Sequence, residues 1–207
     1  MKKSNIVVAL AAAAILTTTA IAQRPGSTSP EAVARVQAGT YELDADHSQV
    51  LWTVNHSGFA PLRGLVGSMT GTLDLDPRQP NNARVVIDIP LSGMTVSSPG
   101  FGKHLQAPDL FNSAQFPTAR FVSRSVRVNG QQATIVGDLT VRGQTRPITL
   151  DARLHGAGVN PRSQAQTVGF TATGEVKRSD FGLGMAAPVV SDEVKLEVNA
   201  VFRRRAS

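Results

Sequence analysis

The chain has 207 residues, no cysteine, 41% hydrophobic residues and a formal net charge of +6, from 21 Lys and Arg against 15 Asp and Glu. Having no cysteine excludes disulfides, thiolate metal sites, thiol nucleophiles and the cysteine-linked anchor of a bacterial lipoprotein. With one Trp, one Tyr and no interleaving of aromatic and basic residues, nucleic-acid binding has no support.

The first element is an export signal. Lys2 and Lys3 precede an apolar run from Ile6 to Leu16, and the small-residue triplet Ala20-Ile21-Ala22 closes it. The run is 11 residues, short of the roughly 20 that span a bilayer. Residues 1–22 are therefore expected to be a signal peptide, cleaved after Ala22, that sends the remainder to the periplasm or outside the cell. The remaining 185 residues carry a charge of +4 and hold no stretch long and apolar enough to span a membrane, so the mature chain is expected to be soluble. They are one domain's worth of chain. A domain of that size buries roughly 70% of its extended-chain surface.

Residues 23–39 are rich in Pro, Ser, Thr, Ala and Gly and predict a flexible linker, with one turn of helix around Glu31 to Val36. The folded domain is expected over 40–203. Its dominant signal has period two. Short alternating runs come first, at Val50-Trp52-Val54, Leu73-Leu75 and Ala83-Val85-Ile87-Ile89. Later runs are Ala133-Ile135, Ile148 to Leu154, Val168 to Val176, and the long Val194-Leu196-Val198-Ala200-Phe202. Turn pairs punctuate them at Asp76-Pro77, Asn81-Asn82, Asn129-Gly130 and Arg142-Gly143. Asn129-Gly130 predicts a type I′ hairpin turn, because both residues accept positive φ cheaply.

One interval breaks the pattern. Ser97 to Phe116 carries Pro99, Gly100, Gly102 and Pro108 among Phe101, Leu105, Leu110, Phe111 and Phe116, and predicts a lid of short helical turns. Near the end comes Arg203-Arg204-Arg205, and a basic run this short predicts a solvated tail over 204–207. About eight one-faced strands avoid open edges by closing on themselves. The predicted fold class is thus all-β, a single antiparallel β-barrel with a short helical lid. A barrel of that strand number is either filled by side chains or hollow enough for one ligand.

Catalytic signatures are missing: there is no Gly-x-Ser-x-Gly, His-Glu-x-x-His, P-loop or dinucleotide fingerprint. His47, His56, His104 and His155 are the candidate metal or acid-base set. On one regular strand, His47 and His56 would face opposite ways, nine residues apart. Two readings of His56 stay open, a structural one and one in which it lines the barrel mouth beside Phe59, with His104 approaching from the lid. Arg178 and Asp180, ahead of Phe181-Gly182-Leu183, read as an ion pair or turn cap, or as a cation meeting a ligand's oxygen.

Four stretches taken in order carry a family resemblance. The first is Tyr41-Glu42-Leu43-Asp44 with His47-Ser48 and His56-Ser57-Gly58. The second is His104-Leu105 with Asp109-Leu110-Phe111 and Phe116-Pro117. The third runs from Gly137 to Pro147, and the fourth is Arg178-Ser179-Asp180-Phe181-Gly182-Leu183 with Asp192-Glu193-Val194. From Tyr41 to about Phe202 the chain resembles the YceI-like family, related to polyisoprenoid-binding proteins.

The resemblance implies a lipocalin-like barrel whose apolar tunnel holds a polyprenyl chain or the tail of an isoprenoid quinone. It implies no catalysis, no metal and no cofactor beyond that bound lipid. The expected contact set is Trp52, Val54, His56, Phe59, Ile87, Phe101, His104, Leu105, Phe111, Phe121, Phe170, Arg178, Phe181, Leu183 and Leu196. The partner is an amphiphilic lipid, and the barrel can be a monomer or a homodimer. Family members carry an Arg and an acidic or amide residue just before the His-Leu pair, where this chain has Phe101-Gly102-Lys103, so a charged head-group contact from the lid is not carried over. Two other readings remain: a stress-linked interaction protein whose barrel is filled, and a metal or enzyme site built on the histidines.

Overall fold

The computed structural model describes residues 26–205. The expected signal peptide and the last two residues of the basic tail lie outside them. Eleven strands form one antiparallel sheet: β1 (Gly39–Leu43), β2 (Gln49–His56), β3 (Ala60–Val66), β4 (Thr70–Leu75), β5 (Arg84–Pro90), β6 (Met94–Val96), β7 (Thr118–Asn129), β8 (Gln132–Val141), β9 (Gln144–Val159), β10 (Gln166–Lys177) and β11 (Glu193–Arg204). The order β1-β4-β5-β7-β8-β9-β10-β11 closes through a pairing of β11 back to β1, which makes an eight-stranded barrel.

The other three strands are continuations. The far half of β11 pairs with β2, β2 with β3, and β3 with β6. Thus β1 and β2, β4 and β3, and β5 and β6 occupy the same three lanes of the sheet, each lane broken once by a short irregular segment. The breaks fall at Asp44–Ser48, Gly67–Met69 and Leu91–Gly93. At the upper end, no pairing among the described residues joins β6 to β7. The helix α2 (Pro99–Leu105) packs against β6 there, opened by Pro99 and by Ser98, whose Oγ accepts from Phe101 N.

The two-residue turns differ from each other for local reasons. Asn129 pairs with Gln132, so the β7–β8 turn centres on Gly130-Gln131, one residue later than predicted, and only Gly130 takes a positive φ. The double positive φ of a type I′ turn occurs instead at Arg142 (51°) and Gly143 (73°) between β8 and β9.

The lower end of the barrel is solid. Tyr41, Leu73, Ala157, Val168 and Phe202 are buried together, and Phe170 meets Phe202 edge-on with ring centroids 6.3 Å apart. Residues 26–38, expected as a flexible linker, are docked beneath this floor. Ser27 and Ala157 exchange two backbone hydrogen bonds, Gln131 Nε2 donates to Thr28 O (3.0 Å), and Val36 packs against the buried cluster. The short helix α1 (Pro30–Ala34) is the predicted turn. Tyr41, fully buried, donates its hydroxyl to Gln37 O (2.7 Å), which satisfies a polar tip inside an apolar floor.

Each of the terminal arginines has a hydrogen-bond partner on the barrel, and Arg205 stays exposed. Arg204 Nε donates to Ala38 O (3.3 Å) and Arg205 Nε to Glu42 Oε1 (2.8 Å), while Arg203 pairs with Asp44. Asp44 sits at the first lane break with a nearly buried side chain, and His47 Nδ1 lies 2.7 Å from its carboxylate. Its backbone N–H donates to Val201 O (2.8 Å), and Ser48 Oγ accepts from Val201 N (3.0 Å), so β11 stays hydrogen-bonded across the break. Burial pushes the Asp44 carboxyl up, but the hydrogen bonds and charges of Arg203 and His47 outweigh it and hold it below the ordinary aspartate value.

A carboxyl depressed in the fold stabilises above its unfolded value, near 3.9, and loses that contribution as pH falls through the folded value. Asp44→Asn is accordingly expected to cost about 2 kcal/mol at neutral pH. The gap between wild type and variant should narrow as urea unfolding is repeated from about pH 5 towards pH 2; a gap independent of pH would count against this account.

Candidate functional site

Above the Phe170–Phe202 floor the barrel is hollow. The cavity measures about 690 Å³, within the range of small-molecule sites, and is lined by all eight lanes, α2, and the loop between β10 and β11. The lumen is clear because its large side chains lie flat along the wall. Four inward positions are glycine, and each receives a neighbouring side chain. A Cβ on Gly64 would fall 2.2 Å from the Trp52 ring, one on Gly137 2.4 Å from Phe121, one on Gly174 2.6 Å from Leu150, and one on Gly71 2.7 Å from the Ile87 tip. Trp52 faces Gly64 directly in register, as Leu150 faces Gly174 and Ile87 faces Gly71.

Thirteen of the predicted contact residues line this space: Trp52, Val54, His56, Ile87, Phe101, His104, Leu105, Phe111, Phe121, Arg178, Phe181, Leu183 and Leu196. Two do not. Phe59 is 91% exposed, because Ser57 and Gly58 take positive φ and turn the β2–β3 tip outward. Phe170 lies below the cavity as part of the floor. Alternation assigned its face correctly but carries no information about depth.

The sequence reading also missed wall residues, above all Met69, Met94 and Met185. They sit at a lane break, on a three-residue strand and in a loop, where no periodicity exists to read. Thioether side chains there give the wall adaptable surface.

Polar lining is confined to Ser97, His56, His104 and Arg178, with no carboxylate. These residues belong to the lid, the β2 tip and the β10–β11 loop, so the cavity is apolar in depth and polar at its mouth. Trp52 Nε1 is buried without a hydrogen-bond partner among the described residues. The remaining histidines are elsewhere, His47 beside Asp44 and His155 exposed on β9. His47 precedes β2 in a one-turn 3₁₀ helix, so the strand-face argument for the His47–His56 pair does not apply. No three potential metal ligands converge among the described residues.

Arg178 is a loop organiser. Its Nε donates to Ser191 O (2.8 Å), and the two terminal nitrogens donate to Leu183 O, Met185 O (2.7 Å) and Val190 O (2.7 Å). The expected ion pair with Asp180 does not form, since Asp180 is exposed and Asp192 is the carboxylate of this turn. Ser179 donates to Asp192 from both its N–H (2.8 Å) and its hydroxyl (2.6 Å). The hydroxyl bond foremost, then the N–H bond and the charges of Arg178 and Lys177, hold the Asp192 carboxyl below its ordinary value against the opposing effect of burial. A second arginine, Arg142, ties this loop to the lid by donating to Gly182 O (2.7 Å) and Pro108 O (2.9 Å).

A guanidinium that serves four carbonyls cannot be replaced by a point charge. Arg178→Met is expected to cost about 3 kcal/mol or more, because it strands buried carbonyls. Arg178→Lys should recover less than half of that in urea unfolding. Full recovery by Lys would show that charge alone matters.

The comparisons with known proteins agree with this architecture. The family model described as YceI-like domain matches residues 41–202. Protein YceI of Escherichia coli O157:H7 is 33% identical over 164 residues, covering 78% of this chain and 85% of that protein. Its counterpart in Salmonella arizonae is 32% identical over the same length. Among solved structures, Burkholderia cenocepacia BcnA superposes with a TM-score of 0.69 at 21% identity, over 77% of this chain and 98% of that one. A polyisoprenoid binding domain from Saccharophagus degradans superposes at 0.60 with 14% identity, over 80% and 98%. On the matched length and the identity to its relatives, the chain belongs to the YceI-like domain family.

Proposed function

We propose that the protein holds an isoprenoid-type lipid, a polyprenyl chain or the tail of an isoprenoid quinone, inside the barrel after export to the periplasm. The observation that carries this reading is the 690 Å³ cavity whose walls are apolar in depth and whose few polar groups sit at one end. That distribution matches an amphiphile lying tail-down, with its head at the lid. Each buried CH₂-sized group contributes roughly 0.8 kcal/mol before ordering costs, so a branched hydrocarbon binds without a charged contact.

The position of Arg178 refines the site. Four of its five N–H donors are taken up by loop carbonyls, which leaves His56, His104 and Ser97 as the other polar groups in the lining for a head group to meet. An uncharged or weakly polar head fits that set. The similarity to a domain described as polyisoprenoid binding supports the ligand class. The rival in which the barrel is filled throughout fits the floor but not the space above it.

The test is native mass spectrometry of protein from its own host, followed by titration with polyprenol and ubiquinone. Bound lipid, or saturable uptake, is expected. A barrel that purifies empty and takes up neither ligand would refute the reading. Gly64→Ala should weaken uptake by roughly tenfold or more, because the new methyl pushes the Trp52 ring off the wall and into the lumen. A thermal melt checks that the variant still folds; a folded variant with unchanged uptake would show that the ligand does not occupy this space.

A further inference from the structure

Five large apolar side chains are exposed among the described residues, and three of them ring the cavity mouth: Phe59, Met185 and Val189. They belong to two loops stitched into one rim. Ser57 N donates to Val189 O (2.6 Å), Ser191 N donates to Asn55 O (2.8 Å), and His56 and Val190 form an isolated bridge. The rim segments from Ser57 to Leu62 and from Phe181 to Ser191 carry no charge, and the charges of the β10–β11 loop, Arg178, Asp180 and Asp192, flank the second segment. Met185 and Val190 line the cavity as well, so the exposed apolar surface is continuous with the inner wall.

A phenylalanine 91% exposed at a loop tip has no packing role in the isolated chain. The three side chains together expose on the order of 350 Å² of apolar surface. A stable protein interface buries roughly 800 Å² per partner, a little over half of it apolar, so this patch is smaller than the apolar part of one. It is of the scale on which apolar side chains enter the boundary between head groups and acyl chains, about 5–10 Å deep.

We propose that this rim docks the barrel mouth onto a lipid bilayer, with Phe59 and Val189 inserted and Met185 joining the inserted patch to the cavity. An amphiphile then passes between membrane and barrel without its tail crossing water. This role in transfer rests on the lipid-holding reading above, whereas the docking contact itself does not.

The experiment compares the chain without residues 1–22 and its Phe59→Ser/Val189→Ser variant for co-sedimentation with vesicles of phosphatidylethanolamine and a minor share of phosphatidylglycerol. Neither residue lines the cavity, and both are exposed, so folding is not at stake. Wild type is expected to sediment with the vesicles, to keep doing so in high salt as an apolar contact should, and the variant to lose roughly tenfold or more of its partition. In a parallel arm without vesicles, both proteins should take up a short polyprenol from cyclodextrin equally.

Wild type that stays in the supernatant, or a variant that sediments as well as wild type, would overturn the docking proposal. So would a dimer seen by sedimentation velocity without lipid and abolished in the variant, since the rim would then serve self-association. Rim-dependent sedimentation without polyprenol uptake in wild type would overturn the lipid-holding reading and the transfer role, and would leave the membrane contact standing.

Discussion

The hollow in this barrel depends on a steric arrangement: large inward side chains are laid over glycines on the adjacent lane. An eight-stranded barrel is narrow enough that ordinary inward side chains meet across its axis. Trp52 over Gly64, Phe121 over Gly137, Leu150 over Gly174 and Ile87 over Gly71 thin the wall instead, and the saved depth becomes the lumen. Where the pattern stops, the barrel fills. Phe170 and Phe202 meet each other rather than a glycine, and their edge-on pair is the floor.

At the first lane break and at the mouth, polar side chains serve the backbone. At the first lane break Asp44 gathers Arg203 and His47 while Ser48 keeps Val201 bonded, so β11 can serve β1 with one half and β2 with the other. At the mouth Arg178 pulls four carbonyls of the β10–β11 loop around one guanidinium, and Asp192 anchors the turn that presents it. The loop that carries Met185 and Val189 is therefore held in shape from within. Its apolar side chains are left to face outward because its polar bonds are already satisfied.

The class of fold was legible because alternation is a local property: a strand from Val194 to Phe202 announces one dry face whatever its neighbours are. The lane count is legible for the same reason, although three lanes are broken at Asp44–Ser48, Gly67–Met69 and Leu91–Gly93, segments too short to show a periodicity of their own. Depth along the barrel axis leaves no trace in the alternation, which is why the pattern puts Phe170 on the tunnel wall while the structure puts it in the floor. Phe59 lies beside His56 at the mouth, its N–H donating to His56 O (3.0 Å), but its side chain points to solvent rather than to the cavity, a direction that nearness in sequence does not carry. An arginine bonded to carbonyls and an arginine bonded to a carboxylate look alike in sequence; the role of Arg178 needed the loop to be closed around it.

The missing ladder between β6 and β7 has a mechanical consequence. At every other seam of the upper wall, widening the hoop breaks backbone hydrogen bonds in a row, a cooperative and costly event. At this slit, among the described residues, the gap is spanned by α2 and residues 106–117, with one backbone hydrogen bond from Leu91 N to Pro117 O (2.9 Å) at its lower edge; no ladder resists widening above that bond, so the wall can dilate there as a split ring does, with the remainder of the cylinder acting as its spring. Elastic strain concentrates at the cut. The aperture for a bulky, branched guest is then set by how far the helix can lift, while the continuous lower ring keeps its circumference.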